Sequence, residues 1–196
     1  MKLGREGDAD KVAESFALAQ DEIMRMSRLV DNALKMSSLQ ELGGQHTALD
    51  IGGILHTTAE AYRALLEKQS NTLTLRIDEN LSPLQGSTDG MVQLFSNLPS
   101  NAGAHTQNGE IIVSAGNGNG AVVITVADDG EGIPPGLLPH VLERGVSGSG
   151  GSGLGLAIAK EITEAHGGGI AIASEPGTGT TVTLTLPVQR EEADHA

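Results

Sequence analysis

Four short motifs stand in a fixed order along this chain, each beside a different kind of element. Asn97-Leu98-Pro99-Ser100-Asn101 lies within a helical pattern, and Asp128-Asp129-Gly130-Glu131-Gly132 follows an apolar strand. Gly151-Ser152-Gly153-Leu154-Gly155-Leu156 opens a second helical pattern, and Gly177-Thr178-Gly179-Thr180-Thr181 turns a hairpin. Each alone is weak, because glycine pairs and Asn pairs one helical turn apart are common. Together they describe one pocket built from a helix face, a strand end, a helix N-terminus and a tight turn.

The surrounding pattern is mixed α and β. A short extended segment near Ala48–Ile51 precedes a helix around Ile54–Lys68 and a β-rich run over Thr72–Ile77. A helix is expected from about Thr88 to Ala102, then strands Ile111–Ala115 and Val122–Ala127 around the Gly116–Gly120 turn. Residues 129–152 are rich in Gly, Pro and Ser without a period, which predicts a long loop of functional use. Leu154–His166 reads as a helix, and Ile170–Ser174 with Thr180–Leu186 as a closing hairpin around Pro176-Gly177. Helices covering one face of a mainly antiparallel sheet make an α+β, two-layer sandwich.

The first forty residues differ. Val12, Phe16, Ala19, Ile23, Met26, Val30, Ala33 and Ser37 alternate steps of four and three, a coiled-coil seam widened by Leu29, Leu34 and Met36. Asp8 or Asp10 can cap its start, and Gly43-Gly44 end it. One amphipathic helix cannot bury such a stripe alone, so a partner helix, from this chain or another, is expected.

Composition excludes several partners. The chain of 196 residues has 25 acidic against 12 basic residues, a net charge of −13 that repels nucleic acid and anionic membranes. An anionic ligand must then be met by local backbone N–H groups, a metal ion and a few basic side chains. There is no cysteine, hence no disulfide or thiolate metal site, which fits a cytoplasmic location. No apolar run approaches a membrane span, and no direct membrane contact is expected.

The chemistry of the motifs is readable residue by residue. Asp128 ends a strand, where a carboxylate can accept a hydrogen bond from an exocyclic amine and so select adenine; an ordinary Asp-Gly turn is the plainer alternative. Gly130 and Gly132 let the backbone approach a base closely. Asn97 and Asn101 share one helical face, and an amide oxygen is a hard neutral ligand suited to Mg²⁺. Gly151, Gly153 and Gly155 at a helix start expose N–H groups to an anion, with Leu154 and Leu156 anchoring the return. Thr180 or Thr181 is placed to donate a hydroxyl hydrogen bond, although a plain hairpin turn explains that motif nearly as well. Gly148, Gly150 and Gly153 also match a dinucleotide fingerprint, with Glu175 at a fitting distance. That motif needs a buried strand before its first glycine, and Glu143-Arg144-Gly145-Val146-Ser147 is polar and broken.

On these four motifs the chain, over roughly residues 47–188, resembles the ATP-binding catalytic domain of sensor histidine kinases, within the GHKL ATPase superfamily. The resemblance implies the Bergerat ATP-binding fold over 45–188, a long coiled-coil-type helix over 1–44 corresponding to the second helix of a dimerisation hairpin, and an acidic, disordered tail at 189–196. It implies ATP and Mg²⁺ as cofactors, with the metal at Asn101. Asn97, His105, Asp128, Gly130, Gly132, Ile133, Arg144, Gly151, Gly153, Leu154, Gly155, Leu156 and Thr180 complete the nucleotide-binding set. Partners implied are a histidine-bearing hairpin and a response regulator, with homodimerisation through the N-terminal helix. No catalytic nucleophile is expected: the domain orients ATP toward an acceptor histidine.

Departures from the family pattern are equally legible. None of His46, His56, His105, His140, His166 and His195 has the acceptor context of His-Glu/Asp-x-x-x-Pro, so the acceptor is expected outside this chain, on the hairpin's first helix. Ala104 stands where the family usually carries Lys or Arg, and Leu142 is offered where the family has a Phe box. Pro99 inside the Asn helix removes a hydrogen bond and predicts a kink of about 3 kcal/mol. Arg144 is the best remaining candidate for phosphate charge. Two other functions stay open: a non-catalytic nucleotide- and partner-binding module, and a serine kinase of the anti-sigma-factor type.

Overall fold

The computed structural model describes residues 47–148 and 151–188. The expected coiled-coil helix and the acidic tail lie outside the described residues.

Strand β1 (Thr47–Leu49) leads into helix α1 (Ile51–Lys68), which begins before the expected Ile54. Asp50 caps it by accepting a hydrogen bond from the Gly53 N–H at 3.0 Å. The face Ile51, Leu55, Thr58, Ala59 and Leu66 is buried. Ser70, at φ +60°, ends the helix in the left-handed region, and the Asn71 N–H returns to the Leu66 carbonyl at 2.9 Å.

Asn71 then ties this turn to the far end of the next helix. It is 2 % exposed; its Nδ2 donates to the Thr106 carbonyl at 2.8 Å, and its Oδ1 accepts from the Gly109 N–H at 3.1 Å. Asn71→Ala strands a buried carbonyl and a part-buried N–H, so unfolding is expected to become about 2–4 kcal/mol easier. A denaturant titration reads this directly; a loss below about 0.5 kcal/mol would contradict it.

Strand β2 (Thr72–Ile77) and the short β3 (Leu84–Gly86) precede α2 (Thr88–His105). Ser87 caps α2, accepting from the Gly90 N–H at 3.2 Å. Met91, Leu94, Phe95, Leu98 and Ala102 recur at helical spacing and are buried. The helix continues through the buried Pro99 to His105, so the metal-motif asparagines stay on one continuous helix. Strands β4 (Glu110–Gly118) and β5 (Ala121–Asp128) form a hairpin. The long loop after β5 contains one 3₁₀ turn, Leu138–His140, and is anchored by the buried Val141. Helix α3 (Gly155–Ala165) and the hairpin β6 (Gly169–Glu175) and β7 (Gly179–Pro187) complete the described chain.

The main sheet has the order β2-β4-β5-β7-β6, parallel between β2 and β4 and antiparallel elsewhere. β1 and β3 pair separately, a contact the sequence pattern does not reveal. Helix α1 packs on β2, α2 on β4 and β5, and α3 on β6 and β7, while α2 lies between the other two. This is the expected two-layer sandwich. Among the described residues no helix is long and apolar enough to cross a membrane.

Strand register turns this architecture into rows across the sheet. One row is Ile77, Ala115, Ile124, Leu184 and Ile170; the next is Leu75, Val113, Val126, Val182 and Ile172. Both are apolar throughout. The third row begins Leu73 and Ile111 and then changes character to Asp128, Thr180 and Ser174. Because side chains in a strand alternate faces, these three polar groups point to the same side as the core residues before them.

Candidate functional site

The polar end of that third row is a closed hydrogen-bond cluster. Asp128 Oδ1 accepts from the Gly130 N–H at 3.0 Å and from the Thr180 N–H at 3.3 Å. Ser174 Oγ donates to the Gly179 carbonyl at 2.8 Å, lies 3.0 Å from Thr180 Oγ1, and accepts from the Ile133 N–H at 2.8 Å. Burial pushes the Asp128 carboxyl above its ordinary value, the N–H groups of Gly130 and Thr180 and the nearby His105 pull it back, and Asp129 adds to the rise. Among the described residues Oδ2 makes no hydrogen bond, which leaves one carboxylate oxygen for an amine donor.

The glycines here are required by contact. Gly179, at φ +117°, lies so close to Asp128 that a Cβ would sit 1.9 Å from the Asp128 carbonyl oxygen. Gly130 faces the His105 carbonyl and Gly132 the Glu175 carbonyl, each about as tightly. The Glu131 N–H donates to the His105 carbonyl at 3.1 Å, and Glu131 Oε1 lies 2.7 Å from His105 Nδ1. Two bonds therefore fasten the last turn of α2 to the loop after β5. Glu131 was not among the expected site residues; an exposed carboxylate inside a turn carries no signal of its distant partner.

Asn97 and Asn101 are both half-buried on α2. Asn97 Nδ2, together with Gln93 Nε2 one turn earlier, is buried without a hydrogen-bond partner among the described residues. Such donors are costly to leave unmade, and a ligand oxygen or an ordered water is the partner they call for. Gln93 is a second residue the sequence reading missed, although its i, i+4 spacing to Asn97 was the available clue. Ala104 is exposed in the last turn and supplies no charge. Thr106 is 1 % exposed, and its Oγ1 also lacks a partner among the described residues.

The glycine-rich segment is clasped from the other side. Gly153, at φ +63°, accepts a hydrogen bond from the Gly145 N–H on its carbonyl oxygen at 3.0 Å, and a Cβ would meet the Gly145 carbonyl carbon at 2.5 Å. Gly151 is exposed and Leu154 half-buried, while Leu156 is in the core. Leu154 caps α3 without a side-chain hydrogen bond, and its first turn has no acidic residue. The Leu154 N–H donates to Ser152 Oγ at 3.4 Å, while among the described residues no side chain claims the N–H groups from Gly155 onward, as an anion site requires. Arg144 is not extended toward this N-terminus: its Nε and Nη2 contact Glu161 Oε1 at 2.7 and 2.6 Å. Leu142 packs against the core, filling part of the loop's anchor.

These features fit a nucleotide with a divalent ion: an acceptor oxygen at the sheet end, orphaned amide donors on α2, and an uncapped helix start. Among the described residues no cluster of His, Cys, Asp and Glu suits a metal held by protein alone. A magnesium ion here would depend on Asn101 and on phosphate oxygens.

Comparison with known proteins agrees with the fold. The model of the family described as histidine kinase-, DNA gyrase B-, and HSP90-like ATPase matches residues 86–190. Sensor histidine kinase YclK of Bacillus subtilis is 28 % identical over 137 residues, 69 % of this chain and 29 % of that protein. Signal transduction histidine-protein kinase BaeS of Escherichia coli is 32 % identical over 134 residues, 67 % of this chain and 28 % of its own length. This chain thus spans under a third of the curated relatives it matches. Full-length ShkA, solved in complex with AMPPNP, shares the fold at a TM-score of 0.73 and 24 % identity, over 92 % of this chain and 40 % of that one.

Proposed function

Because this chain belongs to the histidine kinase-, DNA gyrase B- and HSP90-like ATPase family, we propose that it is the ATP-binding catalytic region of a two-component sensor histidine kinase. The observation that carries the reading is the polar end of the third sheet row, where Asp128, Thr180 and Ser174 replace apolar core residues. Asp128 Oδ2 accepts the adenine amine, and the backbone around Gly130 and Gly132 lies along the base. Asn97 and Gln93 donate to phosphate oxygens, and the α3 N-terminus receives the charge of the phosphate chain. Asn101 would hold a magnesium ion, which would supply neutralisation of phosphate charge.

No side chain of the pocket attacks ATP. The domain contributes orientation and electrostatics, and the γ-phosphate passes to an acceptor histidine on a hairpin helix, then to a response regulator. Incubation with γ-labelled ATP and a separately prepared hairpin is expected to label a histidine of the hairpin and leave this chain unlabelled. Stable phosphate on the chain alone would contradict the reading.

A nucleotide-binding module without turnover is the second reading. It is favoured by Ala104 and by carboxylates already engaging the nearby basic side chains, Glu161 with Arg144 and Glu131 with His105. It predicts the same binding but no labelled hairpin.

A further inference from the structure

Arg144 is the only lysine or arginine between β5 and α3, and helix α2 carries neither residue. Its backbone is fixed beside the start of α3, since the adjoining Gly145 N–H is bonded to the Gly153 carbonyl at 3.0 Å. Its side chain is drawn the other way. Glu161 lies six residues into α3, about 9 Å along the axis from Gly155, and holds the guanidinium through Nε and Nη2.

We propose that Glu161 is a positioning residue that keeps Arg144 off the phosphate site, and that a nucleoside triphosphate captures Arg144 by outcompeting this carboxylate. The inference rests on the nucleotide reading above and adds to it a residue outside the four motifs. The pair is open to solvent, with side chains 59 % and 33 % exposed, so it is weak and readily exchanged. A triphosphate offers several charges and bidentate geometry at the end of an uncapped helix, a stronger partner for a planar guanidinium than one carboxylate. The fixed backbone makes the exchange a rotation of one side chain. It also makes the chain selective: adenosine offers Arg144 nothing, whereas each added phosphate competes better with Glu161.

The test is titration of a non-hydrolysable ATP analogue and of adenosine into wild type, Glu161→Gln, Arg144→Ala and the double variant. Glu161→Gln is expected to bind the analogue about two- to five-fold more tightly and adenosine unchanged. Arg144→Ala is expected to lose about ten-fold on the analogue only, and the double variant to match Arg144→Ala. Thermal melting close to wild type is expected for Glu161→Gln, whose side chain is isosteric and partly exposed. Equal or weaker analogue binding by Glu161→Gln, or a gain that survives in the Arg144→Ala background, would overturn the proposal while leaving the nucleotide reading intact. Absence of binding of both ligands to folded wild type would overturn both.

Discussion

Asp128→Asn is expected to abolish adenine recognition while leaving the fold as stable as before or more so. Asp128 Oδ1 already accepts from Gly130 and Thr180, so it stays in place in the amide. The amide NH₂ then occupies the position of Oδ2 and turns a donor toward the donor of the base. One charge-assisted bond is lost and two donors are opposed, which predicts at least about a hundred-fold weaker binding. Stability moves the other way. The folded-state pKa of Asp128 is raised, so the group's stabilising contribution is fully present at low pH and is lost as pH rises through that value. At neutral pH its buried charge opposes folding, and an amide removes it. In wild type, adenosine affinity should decline as pH falls through the same raised value, where the carboxyl takes up its proton. Melting curves with adenosine titrations between about pH 4 and pH 7 check all three statements. A variant that binds adenosine normally but melts well below wild type would refute this account of Asp128.

Gly179→Ala is the second large effect, and it acts through the same carboxylate. The residue sits at φ +117°, and its missing Cβ is where the Asp128 carbonyl lies. Neither the dihedral nor the neighbour can adjust cheaply, because the obstruction is backbone of the central strand β5. The expected cost is about 3 kcal/mol or more, with nucleotide binding lost through displacement of Asp128. Gly177→Ala, at φ +76° but with nothing within 4 Å of the new Cβ, carries the dihedral strain without the collision. It should therefore cost about 1–2 kcal/mol. Chemical denaturation of the two variants separates them; equal losses would mean that the close approach to Asp128 is unimportant.

Much of this was legible locally. Helix faces and inward strand positions follow from apolar spacing, and the polar row is foreshadowed where that spacing meets Asp128 after Val126 and Ser174 after Ile172. Ser174 was readable as the third inward position of its strand, but its meaning depends on β7 lying between β5 and β6. Local pattern does not state strand neighbours. The three residues of β3 are too few to show a period. The helix expected around Ile54 starts at Ile51, because a helix start tolerates glycine when Asp50 caps the Gly53 N–H. Pro99 does not end helix α2, which runs on through it to His105. The pairs His105–Glu131 and Arg144–Glu161 link exposed residues 26 and 17 positions apart, where no periodicity announces a contact.

The balance of charge sets the limit on what this pocket does. With Ala104 neutral and Arg144 engaged by Glu161, the phosphates rely first on backbone N–H groups, amide donors and the metal ion. Binding should accordingly depend steeply on magnesium. Titration calorimetry of wild type with a non-hydrolysable ATP analogue, with and without Mg²⁺, measures this most directly. The account predicts clear binding with magnesium, weakened strongly when the ion is chelated. No binding by the folded protein in either condition would contradict it.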